Sequence, residues 1–227
     1  MLRLSRRLDD HLHVVRYDRR GYGRSAPHGG PFGIREQVED LVEHLDGRRA
    51  VIVGHSFGGN IALAAAERHP ELVAGVATYE TPVSWLPWWP RRRLDAPPRS
   101  PADEAERFIV RLIGDERWLA LPERTREVRR TEGTTMVAEA AALAAGAPWE
   151  GGRIHVPVAV GLGAAALDHH RRAAAYIAAA VDGAELVVLA GCGHDAPTAA
   201  SDLVAKALVE PLLRRVGPPW SPRSSPA

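Results

Sequence analysis

Val51-Ile52-Val53-Gly54-His55-Ser56-Phe57-Gly58-Gly59-Asn60 is the stretch on which the fold assignment turns. It opens with apolar β-branched residues, as a strand buried on both faces of a parallel sheet requires. It then passes through Gly-x-Ser-x-Gly into residues 60–68, whose Ala and Leu content reads as a helix. The alternation continues outward from there. Residues 13–17, 50–53, 73–79, 156–160 and 185–189 read as strands. The second, third and last of these are largely apolar and are expected to lie buried on both faces. Between the first two strands, Ile34, Val38, Leu41, Val42 and Leu45 fall on one helical stripe. Residues 201–215 read as a further helix with Ser201 as its N-cap. Strands alternating with helices across short loops predict an α/β fold with a mostly parallel, doubly wound sheet.

Residues 84–148 break the rhythm. No strand pattern occurs there; a Pro- and Trp-rich stretch leads into helical periodicity, with Phe108, Ile109, Leu112 and Ile113 on one stripe and an Ala-rich run at 136–144. The expected organisation is a core of residues 1–83 and 149–216, a helical cap at 84–148, and a disordered tail at 217–227. Trp85, Trp88 and Trp89, interleaved with Pro87 and Pro90, fit either an apolar substrate channel or packing of that cap.

The chain has 227 residues, 45% of them apolar and 25% charged, with a formal charge of +1. This is the profile of one ordinary globular domain, and no strong field draws it to nucleic acid or an anionic membrane. The Arg91-Arg92-Arg93 run reads as a solvated face. Cys192 is the only cysteine, so no internal disulfide can form. Residues 1–10 lack the apolar stretch of a signal peptide, and no segment approaches the roughly 20 apolar residues of a membrane span. The expectation is a cytoplasmic enzyme acting on a small-molecule substrate, with no nucleic-acid or membrane partner, no cofactor and no metal. Composition leaves the oligomeric state open.

Gly54-His55-Ser56-Phe57-Gly58 between a strand and a helix is the arrangement of a nucleophile elbow. A serine standing on that sharp turn needs small residues two positions before and two after it to avoid clashes. The turn also sets Ser56 at a helix N-terminus, where partial positive charge favours a developing oxyanion, with the Phe57 backbone N–H as one donor.

Three motifs in order resemble the α/β-hydrolase family. Asp18-Arg19-Arg20-Gly21-Tyr22-Gly23-Arg24-Ser25 is similar to the family's turn after the fourth strand, Gly54 to Gly59 to its elbow, and Gly191-Cys192-Gly193-His194 to the loop carrying its catalytic base. The resemblance runs from about residue 2 to 215. It implies that His194 takes the proton of Ser56 and returns it to the leaving group. It also implies that Asp18, Arg19 and Arg20 fix a turn beneath the active site. The family's usual acid position aligns with Ala166. Asp168, two residues on, fits either a displaced acid or the N-cap of the helix that follows. The family's second acid position, after the preceding strand, holds Glu80. A buried carboxylate there needs a partner such as a histidine that becomes cationic in turnover. The expected triad is therefore Ser56, His194 and Glu80, with Asp168 as the alternative acid. His169 and His170 read as a solvated helix start.

The resemblance further implies three earlier strands and a second oxyanion donor that have no counterpart in residues 1–11, so Met1 is expected to be an internal start of a longer protein. The implied chemistry is hydrolysis of an ester or related carbonyl compound through an acyl-enzyme. The same triad would also serve a cofactor-free haloperoxidase (perhydrolase) or a C–C hydrolase. The third alternative is a catalytically impaired hydrolase fold that only binds.

Overall fold

The computed structural model describes residues 1–9, 12–90 and 100–217. The Arg91-Arg92-Arg93 run, and residues 218–227 of the expected tail, lie outside the described residues. In chain order the elements are α1 (Leu2–Asp9), α2 (Ile34–Leu45), β1 (Ala50–His55), α3 (Phe57–Arg68), β2 (Val73–Tyr79), α4 (Pro101–Ile113), α5 (Asp115–Leu119), α6 (Glu123–Thr131), α7 (Gly133–Ala145), β3 (Val158–Gly163), α8 (Asp168–Ala180), β4 (Glu185–Leu189), α9 (Ala196–Ala199) and α10 (Ser201–Val204). A π-helical turn, Ala205–Val209, joins α10 to α11 (Glu210–Val216). None of the described helices is long and apolar enough to cross a membrane.

The four strands form one sheet in the order β1-β2-β3-β4, every pairing parallel. This is the α/β-hydrolase-like sheet expected from the sequence. The register aligns His55 with Tyr79 and Tyr79 with Gly161, so β1 and β2 finish level while β3 runs two residues further, to Gly163. Strand burial follows position in the sheet rather than composition. The central strands β2 and β3 are buried throughout. β4 was expected to be buried on both faces, but it is an edge, with Leu186 45% and Val188 56% exposed. β1 is only half-buried for the same reason.

Residues 13–17 are not a strand, contrary to the sequence pattern. β-Branched residues favour a ladder only when a neighbour completes its hydrogen bonds. Among the described residues no strand pairs there, and Val15 is 53% exposed. Two N-cap expectations also shift. Ser201 opens α10 behind Ala200, and Asp168 opens α8 behind Leu167; neither preceding residue makes a side-chain cap hydrogen bond.

The described residues fall into two compact units. The first takes residues 1–14, 38–82 and those from 149 onward. In it α3 packs on β1 and β2, and α8 on β3 and β4. Leu4 of α1, Ala77 and Tyr79 of β2, Ala159 of β3, and Leu208 and Leu212 of the C-terminal helix share one core cluster, where Cys192 also packs. Leu4 and Leu8 sit one helical turn apart, so α1 turns both toward that cluster. The second unit takes residues 15–37 and 83–148. It is helical, with α4 packed against α6 and α7. Ser100 caps α4 by accepting from the Asp103 amide at 3.1 Å. The expected α4 stripe is only half-buried, with Leu112 43% exposed, and Ala105 is the buried residue instead.

The strand-to-helix turn after β1 depends on absent side chains. A Cβ at Gly54 would lie 2.4 Å from the Gly58 carbonyl oxygen, a backbone atom that cannot move aside. A Cβ at Gly59 would lie 1.8 Å from Thr81 Oγ1. At Gly58 it would meet nothing within 4 Å, so the steric demand falls at Gly54 and Gly59 rather than at Gly54 and Gly58. Gly54→Ala is therefore expected to destabilise the chain by about 1–3 kcal/mol or more through overpacking. Gly58→Ala should be neutral or stabilising by up to about 1 kcal/mol through helix propensity. Urea denaturation midpoints check both, and equal losses for the two variants would refute this account of the turn.

Candidate active site

Two residues just past adjacent strand ends hold unusual backbone. Ser56, directly after β1, has φ 53° and ψ −125°, and its N–H donates to the Tyr79 carbonyl at 2.9 Å. Glu80, directly after β2, has φ 45°, and its N–H donates to the Gly161 carbonyl at 3.0 Å. Positive φ at a non-glycine residue costs free energy and persists only where the surroundings impose it. Here the imposing elements are the hydrogen bonds that carry the ladder one step beyond each strand. Phe57 opens α3, so its amide is one of the N–H groups at the helix N-terminus.

His194 arrives from the loop after β4. Its Nδ1 shares a hydrogen bond with Glu80 Oε2 at 2.9 Å, and the Gly163 N–H donates to Glu80 Oε1 at 3.2 Å. Glu80 is 1% exposed, and both its carboxylate oxygens are thereby met. The structure thus joins two of the sequence-predicted residues directly. Among the described residues no hydrogen bond links the Ser56 hydroxyl to His194. Asp168 lies exposed at the start of α8. Ala166, at the family's usual acid position, is buried.

Three residues that the sequence reading left out of the site surround His194. His55 Nε2 donates to the His194 backbone carbonyl at 2.8 Å, and its ring lies 4.6 Å from the His194 ring. Tyr79 donates its hydroxyl to the Gly193 carbonyl at 2.9 Å. His170, expected at a solvated helix start, is half-buried with its ring centroid 5.0 Å from that of His194. His55 occupies a variable place in Gly-x-Ser-x-Gly and Tyr79 reads as an ordinary strand residue, so neither pattern marks a role. For Tyr79 the signal was its position beside Glu80. Deeper in the same unit, Asn60 donates to the Pro82 carbonyl and accepts from Trp149 Nε1, both at 2.9 Å, tying α3 to two loops.

Burial sets the charges. It pushes His55 down to about 3, helped by the neighbouring His194, so His55 stays neutral and serves as a donor. Burial likewise pushes His170 down to about 4, with His194 and His169 adding to the shift. Burial, then the Glu80 charge, raises the Tyr79 hydroxyl, which keeps its proton. Burial also raises the Cys192 thiol, consistent with a packed rather than reactive residue.

In the second unit the Asp18-Arg19-Arg20 turn makes the charge-assisted bonds expected of it. Arg19 pairs with the buried Glu139, which also accepts from Tyr22 at 2.7 Å and from Gln37 at 2.9 Å. Asp18 accepts from the Arg24 amide at 3.2 Å, and that bond is the main cause of its lowered pKa. Arg20 donates to the Pro31 and Glu36 carbonyls. Trp85, Trp88 and Trp89 are half-buried, the last two with ring centroids 6.2 Å apart.

A model of the alpha/beta hydrolase family matches residues 1–207. Over 63 residues the chain is 43% identical to a putative carbamate hydrolase RutD of Caulobacter segnis, a match covering 26% of this chain and 24% of that protein. The chain therefore spans about a quarter of that relative's length. Among solved structures, the enol-lactonase from Burkholderia xenovorans LB400 superposes with a TM-score of 0.65 at 24% identity, over 88% of this chain and 81% of that one. A thermophilic esterase from Thermogutta terrifontis gives a TM-score of 0.64 at 23% identity, over 94% and 84%. At these identities the likeness is one of fold.

The Tyr79 hydroxyl anchors the loop that carries His194. Tyr79→Phe should cost about 0.5–1.5 kcal/mol, because it removes one of two donors to the Gly193 carbonyl and leaves the Ala196 amide as the other. Amide hydrogen exchange should quicken in residues 191–195 but not in α3. Unchanged exchange in that loop would refute the anchoring role.

Proposed function

The chain belongs to the alpha/beta hydrolase family, and on that premise we propose that it hydrolyses esters or related carbonyl compounds through Ser56, His194 and Glu80. The observation that carries this reading is the 2.9 Å bond between His194 Nδ1 and a carboxylate that is almost wholly buried. Such a carboxylate fixes the ring so that Nε2 presents its lone pair, and it stabilises the imidazolium formed in turnover. The left-handed backbone at Ser56 supports the reading, because a strained turn at a strand's carboxyl end holds a serine hydroxyl proud of the chain. In the proposed sequence Ser56 Oγ attacks the carbonyl carbon while its proton passes to His194 Nε2. The oxyanion is met by the Phe57 N–H at the α3 N-terminus. His194 then protonates the leaving group, and water activated by the same ring releases the acid from Ser56. A Ser56–His194 hydrogen bond would form as substrate binds, since catalytic contacts are often long in unliganded enzymes.

Ester-type carbonyls are favoured because an enol-lactonase and an esterase share the fold over most of the chain. Glu80 is favoured over Asp168 as the acid because Glu80 bonds the ring, whereas Asp168 is exposed at a helix start.

Hydrolysis of a short-chain p-nitrophenyl ester tests the proposal, alongside labelling by a fluorophosphonate serine probe. Ser56→Ala should abolish labelling and lower kcat by at least about a thousandfold. Glu80→Gln should lower kcat on the order of a thousand- to ten-thousandfold, through loss of ring orientation and imidazolium stabilisation. Asp168→Asn should leave kcat within about twofold, as expected of an exposed residue outside the machinery. A folded chain that neither turns over the ester nor takes the probe would instead favour a hydrolase fold that only binds.

A further inference from the structure

The imidazole of His170 stands where the hydrolytic reading has no use for it. It is the third residue of α8, which begins shortly after β3, and the helix start carries it to His194. Glu80, His170 and His194 each offer a donor atom, and these atoms lie within 4.8 Å of one another. We propose that His170, His194 and Glu80 bind a divalent transition-metal ion of the zinc class, and that the ion, by capturing His194, reversibly switches off the hydrolysis proposed above.

Donor chemistry comes first. Two imidazoles and one carboxylate match the ligand types zinc selects, with bond lengths of roughly 2.0–2.2 Å and room for water as a fourth ligand. Around a tetrahedral ion such bonds put neighbouring donors about 3.4 Å apart, so the present spacing closes with small rotations about side-chain torsions. Hard cations such as Mg²⁺ prefer oxygen ligands and would gain little from two imidazoles.

Placement points the same way. Glu80 is 1% exposed and carries the negative charge that a dication would neutralise. His194 and His170 are half-buried, so the two imidazoles lie closer to solvent than the carboxylate does.

The consequence for activity holds whichever nitrogen of His194 binds. At Nε2 the ion occupies the lone pair that would take the Ser56 proton. At Nδ1 it displaces the proton now shared with Glu80 and releases it to solvent, separating the ring from its orienting carboxylate. Either way His194 ceases to act as a base. The inhibition rests on the proposed role of His194, whereas the binding itself does not.

The test is equilibrium dialysis of the full chain against ZnCl₂ in chelator-free buffer, with MgCl₂ in parallel, followed by ester hydrolysis of the same samples. Wild type should bind one zinc ion per chain and no magnesium at the same concentration, and lose its hydrolysis in step with zinc occupancy until EDTA restores it. Zinc affinity should fall at least about tenfold in His170→Ala on loss of one ligand, with basal hydrolysis kept and inhibition needing correspondingly more metal. Side-chain NMR of wild type gives a readout that needs no variant: zinc should shift the ring signals of His170 and His194 together. No zinc bound, zinc bound equally well by His170→Ala, or unmoved His170 and His194 signals would each overturn the site. His170-dependent zinc binding in a chain with no Ser56-dependent hydrolysis would keep the site and remove the hydrolase reading.

Discussion

A carboxylate stripped of water is costly unless donors or a cation replace the lost hydration, and Glu80 lives under that constraint. Its two oxygens are answered by the Gly163 amide and the His194 ring. The first answer requires β3 to run alongside β2 in register, so that Gly163 lies level with the carboxylate. The second requires the loop after β4 to return across the sheet's end. That loop is held by donors aimed at its backbone, Tyr79 at Gly193 and His55 at His194. Removing the Glu80 charge would therefore break the His194 ion pair and weaken the acceptor that meets the Gly163 amide. It would leave the His194 loop anchored by its backbone but its ring unoriented.

Only a parallel sheet can gather these parts along one edge. With all strands pointing the same way, β1 and β2 end in register, and the residues that follow them fall in a row beside the last residues of β3. Ser56 and Glu80 are neighbours in that row. They are held by the same kind of bond, an amide donating to the strand on its far side. Ligand sites in open α/β sheets characteristically lie beyond the carboxyl ends of the strands, and the buried carboxylate, the histidine and the strained serine all occur there.

The limits of β2 and β4 match the apolar runs at 73–79 and 185–189, and the α2 stripe buries Ile34, Val38 and Leu41 as its periodicity requires. Local pattern suffices where an element carries its own signal. It misled wherever the answer lay with a neighbour. Residues 13–17 have strand composition but no strand to pair with, and β4 is as apolar as a central strand yet sits at an edge. The same division holds for the site. Ser56 and His194 stand in recognisable local motifs, and Glu80 follows from its place after a buried strand. His55, Tyr79 and His170 have no such mark, because what matters about each is the group across the sheet's end that it meets. At Gly58, composition suggested a steric demand that the folded turn places one residue further on.

Among the described residues, three non-glycine residues carry positive φ, and the contrast among them is informative. Asp46 lies exposed beside Gly47 after α2, in a turn where a short polar side chain tolerates the left-handed region. Ser56 and Glu80 have no such excuse. Each immediately follows a strand and is tied to the adjacent one, and backbone in these regions costs on the order of 1–3 kcal/mol. Had Glu80 kept extended backbone, β2 would have run on and its side chain would have alternated to one face of the sheet. The reversal instead sends the carboxylate along the sheet's end, where it meets both the Gly163 amide and the His194 ring. Strain at Ser56 acts alike, breaking β1 so that α3 begins at the next residue. The sheet supplies the energy that holds both conformations, and the geometry around His194 is what that energy maintains.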